Sequence, residues 1–104
     1  MMELTLLTVP DCPNAAVFEE RLALALGGRP DVAFHRREVV DERGAAQEGM
    51  HGSPTLLIDG QDPFAAPGQE PTLSCRLYQD AGGRTEGAPS LDALRRVLGA
   101  PAAR

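Results

Sequence analysis

The stretch at 10–15, Pro-Asp-Cys-Pro-Asn-Ala, separates two segments of different pattern. Before it, residues 2–9 form a dense apolar run, which predicts a largely buried β-strand. After it, apolar residues recur at helical spacing over 13–26 and a Gly-Gly pair at 27–28 ends the pattern, which predicts an α-helix. The chain therefore opens as strand, short turn and helix, with Cys12 in the turn.

Residues 30–50 predict the second half of a βαβ unit. Val32, Phe34 and Arg36 share one side of an extended segment, and the intervening residues point the other way, which predicts a half-exposed or edge strand. Residues 41–50 are polar and alanine-rich with glycines at both ends, so we expect a short helix there. The crossover between the two strands should be right-handed.

The remaining residues predict two strands and a closing helix. The apolar run at 55–58 and the alternating pattern at 73–77 are expected to pair as antiparallel strands, because each is bounded by turn residues. A proline-rich surface loop or flap at 61–72 would join them. Ser90 is expected to cap a last helix, whose leucines face the sheet.

Length and charge restrict the fold and the partners. With 104 residues, four of them aromatic, we expect a single domain at 1–99 and a flexible C-terminal tail at 100–104. The net charge of −5 argues against binding to nucleic acid or to an anionic membrane. The N-terminal residues lack a signal-peptide pattern, so the expected compartment is the cytoplasm. All ten basic residues are arginine, a bias typical of GC-rich bacterial genes.

Cys12 is the strongest candidate for chemistry. A thiol at a helix N-terminus meets unpaired N–H groups and the positive end of the helix dipole, and both favour the reactive thiolate. The neighbouring carboxylate of Asp11 acts against them. The alternative interpretation is that Cys12 is an ordinary small residue of a tight turn.

Ser53-Pro54 is the second candidate feature. The bond before a proline has only a modest trans preference, and a cis isomer is usually a deliberate local feature. We expect a cis bond here, either to expose backbone to an extended substrate or simply to turn the chain into the strand at 55–58.

The order βαβ followed by ββα resembles the thioredoxin and glutaredoxin superfamily. Two short motifs are specific to that resemblance: Pro-Asp-Cys-Pro-Asn-Ala at 10–15 is similar to the active-site turn, and Gly-Ser-Pro-Thr-Leu at 52–56 is similar to the cis-proline loop. The resemblance implies an α/β fold with a four-stranded mixed sheet and helices packed on both faces. It also implies that Cys12 is catalytic. The residues expected to shape the substrate site are Asp11, Pro13, Ser53 and Pro54.

The chain departs from the family pattern at Ala15, which replaces the second cysteine of Cys-x-x-Cys. Resolution within the motif is therefore excluded, and a monothiol route remains: Cys12 attacks a protein disulfide or S-thiolated protein, and a small thiol resolves the mixed disulfide. The resemblance suggests glutathione or mycothiol as that thiol. No other cofactor is expected.

Cys75 is the only other cysteine and therefore the candidate second thiol. Its place in an alternating strand favours a buried small residue, positioned opposite Leu57 rather than near Pro54. A disulfide with Cys12 would require the two Cα atoms to lie within about 7 Å.

The histidines give a weak metal signal. His51 lies three residues before Pro54, either exposed in a loop or close enough to Cys12 to modulate it; His35 is expected on the surface. Without Cys-x-x-Cys or His-x-x-x-His spacing, we predict no metal site.

Three functional hypotheses follow. The first is a monothiol disulfide oxidoreductase that uses Cys12. The second is a thiol protein for soft metals or organomercurials, similar to an alkylmercury lyase, using Cys12 with Cys75. The third is a non-catalytic binding module that keeps the scaffold without the redox chemistry, since a fold alone does not determine a function. The sequence leaves the oligomeric state open.

Overall fold

Strands and helices alternate through the first half of the chain, and short strands dominate the second. The computed structural model describes residues 2–80 and 82–99, so the predicted tail at 100–104 lies outside the described residues. The elements are β1 (Met2–Thr8), α1 (Ala15–Leu26), β2 (Val32–Glu38), α2 (Glu42–Glu48), β3 (His51–Ser53), β4 (Thr55–Ile58), β5 (Thr72–Cys75), β6 (Tyr78–Gln79), β7 (Thr85–Glu86) and α3 (Leu91–Leu98).

The main sheet is mixed, and in the described residues it has three strands in the order β2-β1-β4. The central strand, β1, is parallel to β2 and antiparallel to β4. Leu4, Leu6 and Leu7 of β1 are completely buried, which explains why its sequence is an apolar run rather than an alternation. The prediction of an α/β fold with an edge strand at β2 is therefore confirmed.

Apolar clusters cover the two faces of this sheet. One cluster joins Leu4 and Leu6 of β1 to α1 and α3 through Phe18 and Leu94. The other joins Leu7 of β1 to Ala45 of α2, together with Val39, Met50 and Leu57. Because adjacent residues of a strand point to opposite faces, the three helices divide two to one across the sheet.

The strand pairing predicted for the second half is wrong. β4 does not pair with the segment at 73–77; it pairs with β1, and β5 instead lies parallel to β3. The expected fourth strand therefore does not join the main sheet in the part of the chain that the structure describes. Gly52 permits the close approach of β3 and β5, because a Cβ there would lie 2.9 Å from the Ser74 carbonyl oxygen.

The alternation at 73–78 was also predicted in the wrong phase. Cys75 is exposed and Leu77 is 67% exposed, whereas Arg76 and Tyr78 are buried. The regular strand ends at Cys75. Arg76 pairs with the buried carboxylate of Asp62, which offsets the free-energy cost of burying its charge. Apolarity alone therefore misassigns the buried side of this segment.

Helix termini follow the sequence closely. The Ser90 hydroxyl accepts a hydrogen bond from Ala93 N at 3.1 Å, as predicted, and Asp41 caps α2 by accepting from Gly44 N at 2.8 Å. None of the helices in the described ranges is long and apolar enough to cross a membrane.

Candidate functional site

The turn that carries Cys12 connects the end of β1 to the start of α1. Asp11 adopts a left-handed conformation with φ of 60°, which reverses the chain after Pro10. The Ala15 N–H donates to the Cys12 carbonyl oxygen at 3.3 Å, so the helix begins at Ala15 and not at Pro13. Cys12 is thus in the turn immediately before α1, and its thiol is free and partly exposed.

A groove of about 390 Å³ opens beside Cys12. Its lining comes from the C-terminal end of β1, the start of α1 and the end of β2, the region where a βαβ unit commonly binds ligands. Of the predicted substrate-site residues, Asp11 lines this groove with Cys12, whereas Pro13, Ser53 and Pro54 do not.

The two arginines that line the groove form ion pairs with glutamates of the neighbouring helices. Arg36 of β2 contacts Glu19 of α1 at 3.0 Å, and Arg37 contacts Glu48 of α2 at 2.5 Å. Both arginine side chains are more than half exposed, so these pairs are solvated and orient the rim without adding much stability.

The Ser53-Pro54 peptide bond is cis, as the sequence predicted. The Ser53 hydroxyl accepts from Val9 N at 3.1 Å, which ties this segment to the end of β1, next to the Cys12 turn. The Ser53 carbonyl oxygen accepts from Arg76 N at 3.1 Å. Ser53 and Pro54 are both fully buried, so their contacts in this structure are within the protein.

A buried charge network lies behind Pro54. The Asp62 carboxylate, 2% exposed, is 2.6 Å from Arg76 Nη1 and 2.8 Å from His51 Nδ1. Its other oxygen accepts from Phe64 N at 2.9 Å. The Arg76 side chain is 5% exposed. Asp62 therefore anchors the proline-rich loop at 61–72 to β3 and to the residue after β5.

Arg76 extends this network to the strand that follows Pro54. Its Nη1 donates to the Thr55 hydroxyl at 3.3 Å and its Nη2 to the Phe64 carbonyl oxygen at 2.9 Å. The guanidinium carbon also lies 4.7 Å from the centroid of the Tyr78 ring, in cation–π geometry.

Tyr78 connects the network to Pro54. Its hydroxyl donates to the Pro54 carbonyl oxygen, and its ring packs edge-on against Phe18 of α1 at 5.9 Å between centroids. Burial raises the pKa of the Tyr78 phenol, the positive charge of Arg76 opposes the rise, and the negative charge of Asp62 adds to it.

The segment at 86–89 closes against the start of α1. Arg21 of α1 donates to the Pro89 carbonyl oxygen at 3.0 Å and contacts Glu86 at 2.9 Å. Gly87 lies so near the Asn14 side chain that a Cβ there would come within 2.2 Å of it. The turn that follows Cys12 is therefore packed against this segment.

Cys75 lies in register with Ser53, at the Pro54 end of the structure, so its predicted position opposite Leu57 is wrong. The prediction that it is buried is also wrong, because β5 presents it to solvent. No disulfide joins it to Cys12.

His51 is a strand residue bound to Asp62 and not an exposed loop residue, whereas His35 is exposed as predicted, 3.6 Å from Glu3. Within 2–80 and 82–99, no three His, Cys, Asp or Glu side chains form a group that could hold a metal ion.

Sequence reasoning missed three residues of this region: Asp62, Arg76 and Tyr78. The available signal was weak, because an arginine in a short alternating strand is usually assigned to the solvent side. The aspartate stands in a loop with no periodicity, so nothing in the sequence joins it to Arg76.

Comparisons with known proteins identify no relative of this chain. A scan against family models, a search of curated proteins and a search of solved structures each found no match.

Proposed function

We propose that this chain is a thioredoxin-like monothiol protein in which Cys12 carries out thiol–disulfide exchange. The observation that carries the proposal is a free, partly exposed thiol in the turn before α1, opening onto a groove of about 390 Å³. Cys12 lies two residues before the N-cap of α1, and unpaired N–H groups at a helix start favour a nearby thiolate. In this turn Asn14 offers them no side-chain cap.

The chemistry needs only one protein thiol. The Cys12 thiolate attacks one sulfur of a disulfide, forms a mixed disulfide and expels the other sulfur as a thiolate. A second small thiolate, such as that of glutathione or mycothiol, then attacks the mixed disulfide and releases Cys12. Each step breaks one S–S bond and forms another, so no further oxidant or reductant is needed.

The surroundings of Cys12 support this chemistry by holding the turn in one conformation. Ser53 binds Val9 on one side of the turn, and the segment at 86–89 packs on Asn14 on the other. Ser53 and Pro54 are buried, so we assign them a role in shaping the turn and the groove. Asp11 lines the groove and Pro13 is exposed, so we assign contact with the substrate to these two residues.

The test is reduction of hydroxyethyl disulfide by a small thiol, catalysed by the protein. The Cys75→Ser variant is the matched control, since it keeps Cys12 and removes the other thiol. We expect Cys75→Ser to retain the wild-type rate and Cys12→Ser to fall to the uncatalysed rate. The mixed disulfide should form on Cys12 with the mass of one substrate thiol added. Full activity in Cys12→Ser, or no activity in the wild type, would reject the proposal.

A non-catalytic binding role is the second candidate. One observation favours it: Ala15 stands where a Cys-x-x-Cys motif would have its second cysteine. It predicts that hydroxyethyl disulfide is not a substrate. The same assay therefore distinguishes the two roles.

A further inference from the structure

A second cavity of about 390 Å³ lies away from the Cys12 groove, between the loop after β4 and the start of α3. The described residues that line it include Phe64, Arg76, Tyr78 and Ala93, and Cys12 is not among them. Its volume is in the lower part of the range typical of small-molecule sites.

Polar and apolar atoms contribute about equally to the walls of this cavity. Phe64 and Tyr78 meet edge-on, with ring centroids 5.4 Å apart, and form one aromatic wall. Pro89, just before α3, and Ala93, in the first turn of α3, also line the cavity. Leu77, 67% exposed, also lines the cavity and leaves apolar surface open to solvent. Ala66 and two neutral glutamines complete the lining.

Arg76 contributes the sole charge among the described lining residues. Its guanidinium carries five N–H groups. Nη1 donates to Asp62 and Thr55, and Nη2 donates to Phe64, which accounts for three of them. Within the described residues, no acceptor lies within hydrogen-bond distance of Nε, and Nη2 has one such acceptor for its two hydrogens. These two nitrogens share one edge of the guanidinium, the arrangement that binds a carboxylate through two parallel hydrogen bonds.

The guanidinium is also held in place before any ligand arrives. Asp62 binds it at 2.6 Å but does not line the cavity, and the Tyr78 ring supports it at 4.7 Å. A donor that is already ordered loses little further side-chain entropy on binding. A ligand would therefore meet ordered guanidinium N–H donors in a cavity whose other described lining residues are uncharged.

We propose that this cavity binds a small monocarboxylate with an apolar body. The carboxylate accepts two hydrogen bonds from Nε and Nη2 of Arg76, and the apolar body packs against Phe64, Tyr78 and Ala93. This site is independent of Cys12 and of the proposed disulfide exchange.

The chain provides its own reporter, because Tyr78 is the single tyrosine and there is no tryptophan. The probe is cyclohexanecarboxylate, and cyclohexanecarboxamide is the neutral ligand of the same shape. We expect a saturable change in Tyr78 emission and one site per chain by calorimetry. The carboxylate should bind at least about tenfold more tightly than the amide, because only it forms a charge-assisted pair.

Three variants test the location of this site. Ala93→Leu fills the cavity. Leu77→Asp adds a negative charge at its mouth, which repels a carboxylate ligand. Neither substitution alters the Asp62–Arg76 pair. Each should weaken carboxylate binding at least about fivefold. Leu24→Asp is the matched control, since Leu24 is an exposed leucine of α1 that does not line the cavity, and it should leave the affinity unchanged. Equal affinity for acid and amide, no saturable binding, or binding unaffected by Ala93→Leu would overturn the proposal.

Discussion

The Cys12 groove and the Asp62–Arg76 network lie on two sides of the Pro54 segment. They differ in the solvent exposure of their ion pairs. The groove is lined by arginines that are more than half exposed and pair with carboxylates in solvent. The network holds an arginine and a carboxylate that are 5% and 2% exposed. Exposed pairs are screened and contribute little, whereas breaking a buried pair leaves a charge without solvent. The first region is therefore open to chemistry, and the second fixes the structure behind it.

The largest expected effect comes from breaking the buried pair. Asp62→Ala leaves the Arg76 guanidinium without its carboxylate and should lower the free energy of unfolding by about 3–5 kcal/mol. Urea denaturation followed by circular dichroism measures the change.

The matched control for this prediction is Glu48→Ala, which removes the carboxylate from the exposed Arg37 pair. It should cost less than about 1 kcal/mol. The Asp62→Leu/Arg76→Met double variant should recover much of the loss, because it removes both charges. If Asp62→Ala and Glu48→Ala cost the same, the contrast between the two regions does not hold.

A smaller effect is expected from Tyr78→Phe, which removes one hydroxyl and keeps the ring. The Pro54 carbonyl oxygen loses the donor that it has in this structure. Leaving such a buried acceptor unpaired should cost about 1–3 kcal/mol, measured by urea denaturation. An unchanged free energy of unfolding would mean that this contact does not hold the Pro54 segment.

Tyr78 also predicts a pH dependence with a defined sign. Burial raises the pKa of its phenol in the folded protein, so the unfolded chain loses this proton first, near the ordinary value of about 10. The Tyr78 contribution to stability is therefore complete below about pH 10 and is lost as the pH rises through the folded-state pKa.

The difference in stability between wild type and Tyr78→Phe isolates this contribution from other groups that titrate there. It should shrink as the pH rises above about 10. Because Tyr78 is the single tyrosine, ultraviolet absorbance follows its ionisation directly. Phenolate formation at the ordinary pH in the folded protein would contradict the prediction.

The smallest effect on stability, with a change in reactivity, is expected from Asp11→Asn. Asparagine tolerates the left-handed conformation as well as aspartate does, so the free energy of unfolding should change by less than about 0.5 kcal/mol. Removing the negative charge beside Cys12 should raise its rate of alkylation by iodoacetamide, measured in the Cys75→Ser background. A slower rate would show that the Asp11 charge does not oppose the Cys12 thiolate.

The comparison also explains what the sequence could predict. The position of Cys12 in a turn between β1 and α1 could be predicted because its signal is local: an apolar run, a Pro-flanked turn and a helical pattern are contiguous in the chain. The Ser90 cap and the short helix at 42–48 were predicted for the same reason. In contrast, Asp62 and Arg76 are 14 residues apart, and nothing in the intervening loop indicates that they meet.

The sequence by itself determined the α/β class, the Cys12 turn before α1 and the interruption of the chain at Pro54, because these depend on periodicity, capping and the backbone limits of proline. The tertiary structure decided which strands pair, which side of residues 73–78 is buried and which charges meet inside. In the segment at 73–78, local apolarity favours burial of Cys75 and Leu77, but both remain in solvent. Arg76 is buried instead, because the distant Asp62 compensates its charge.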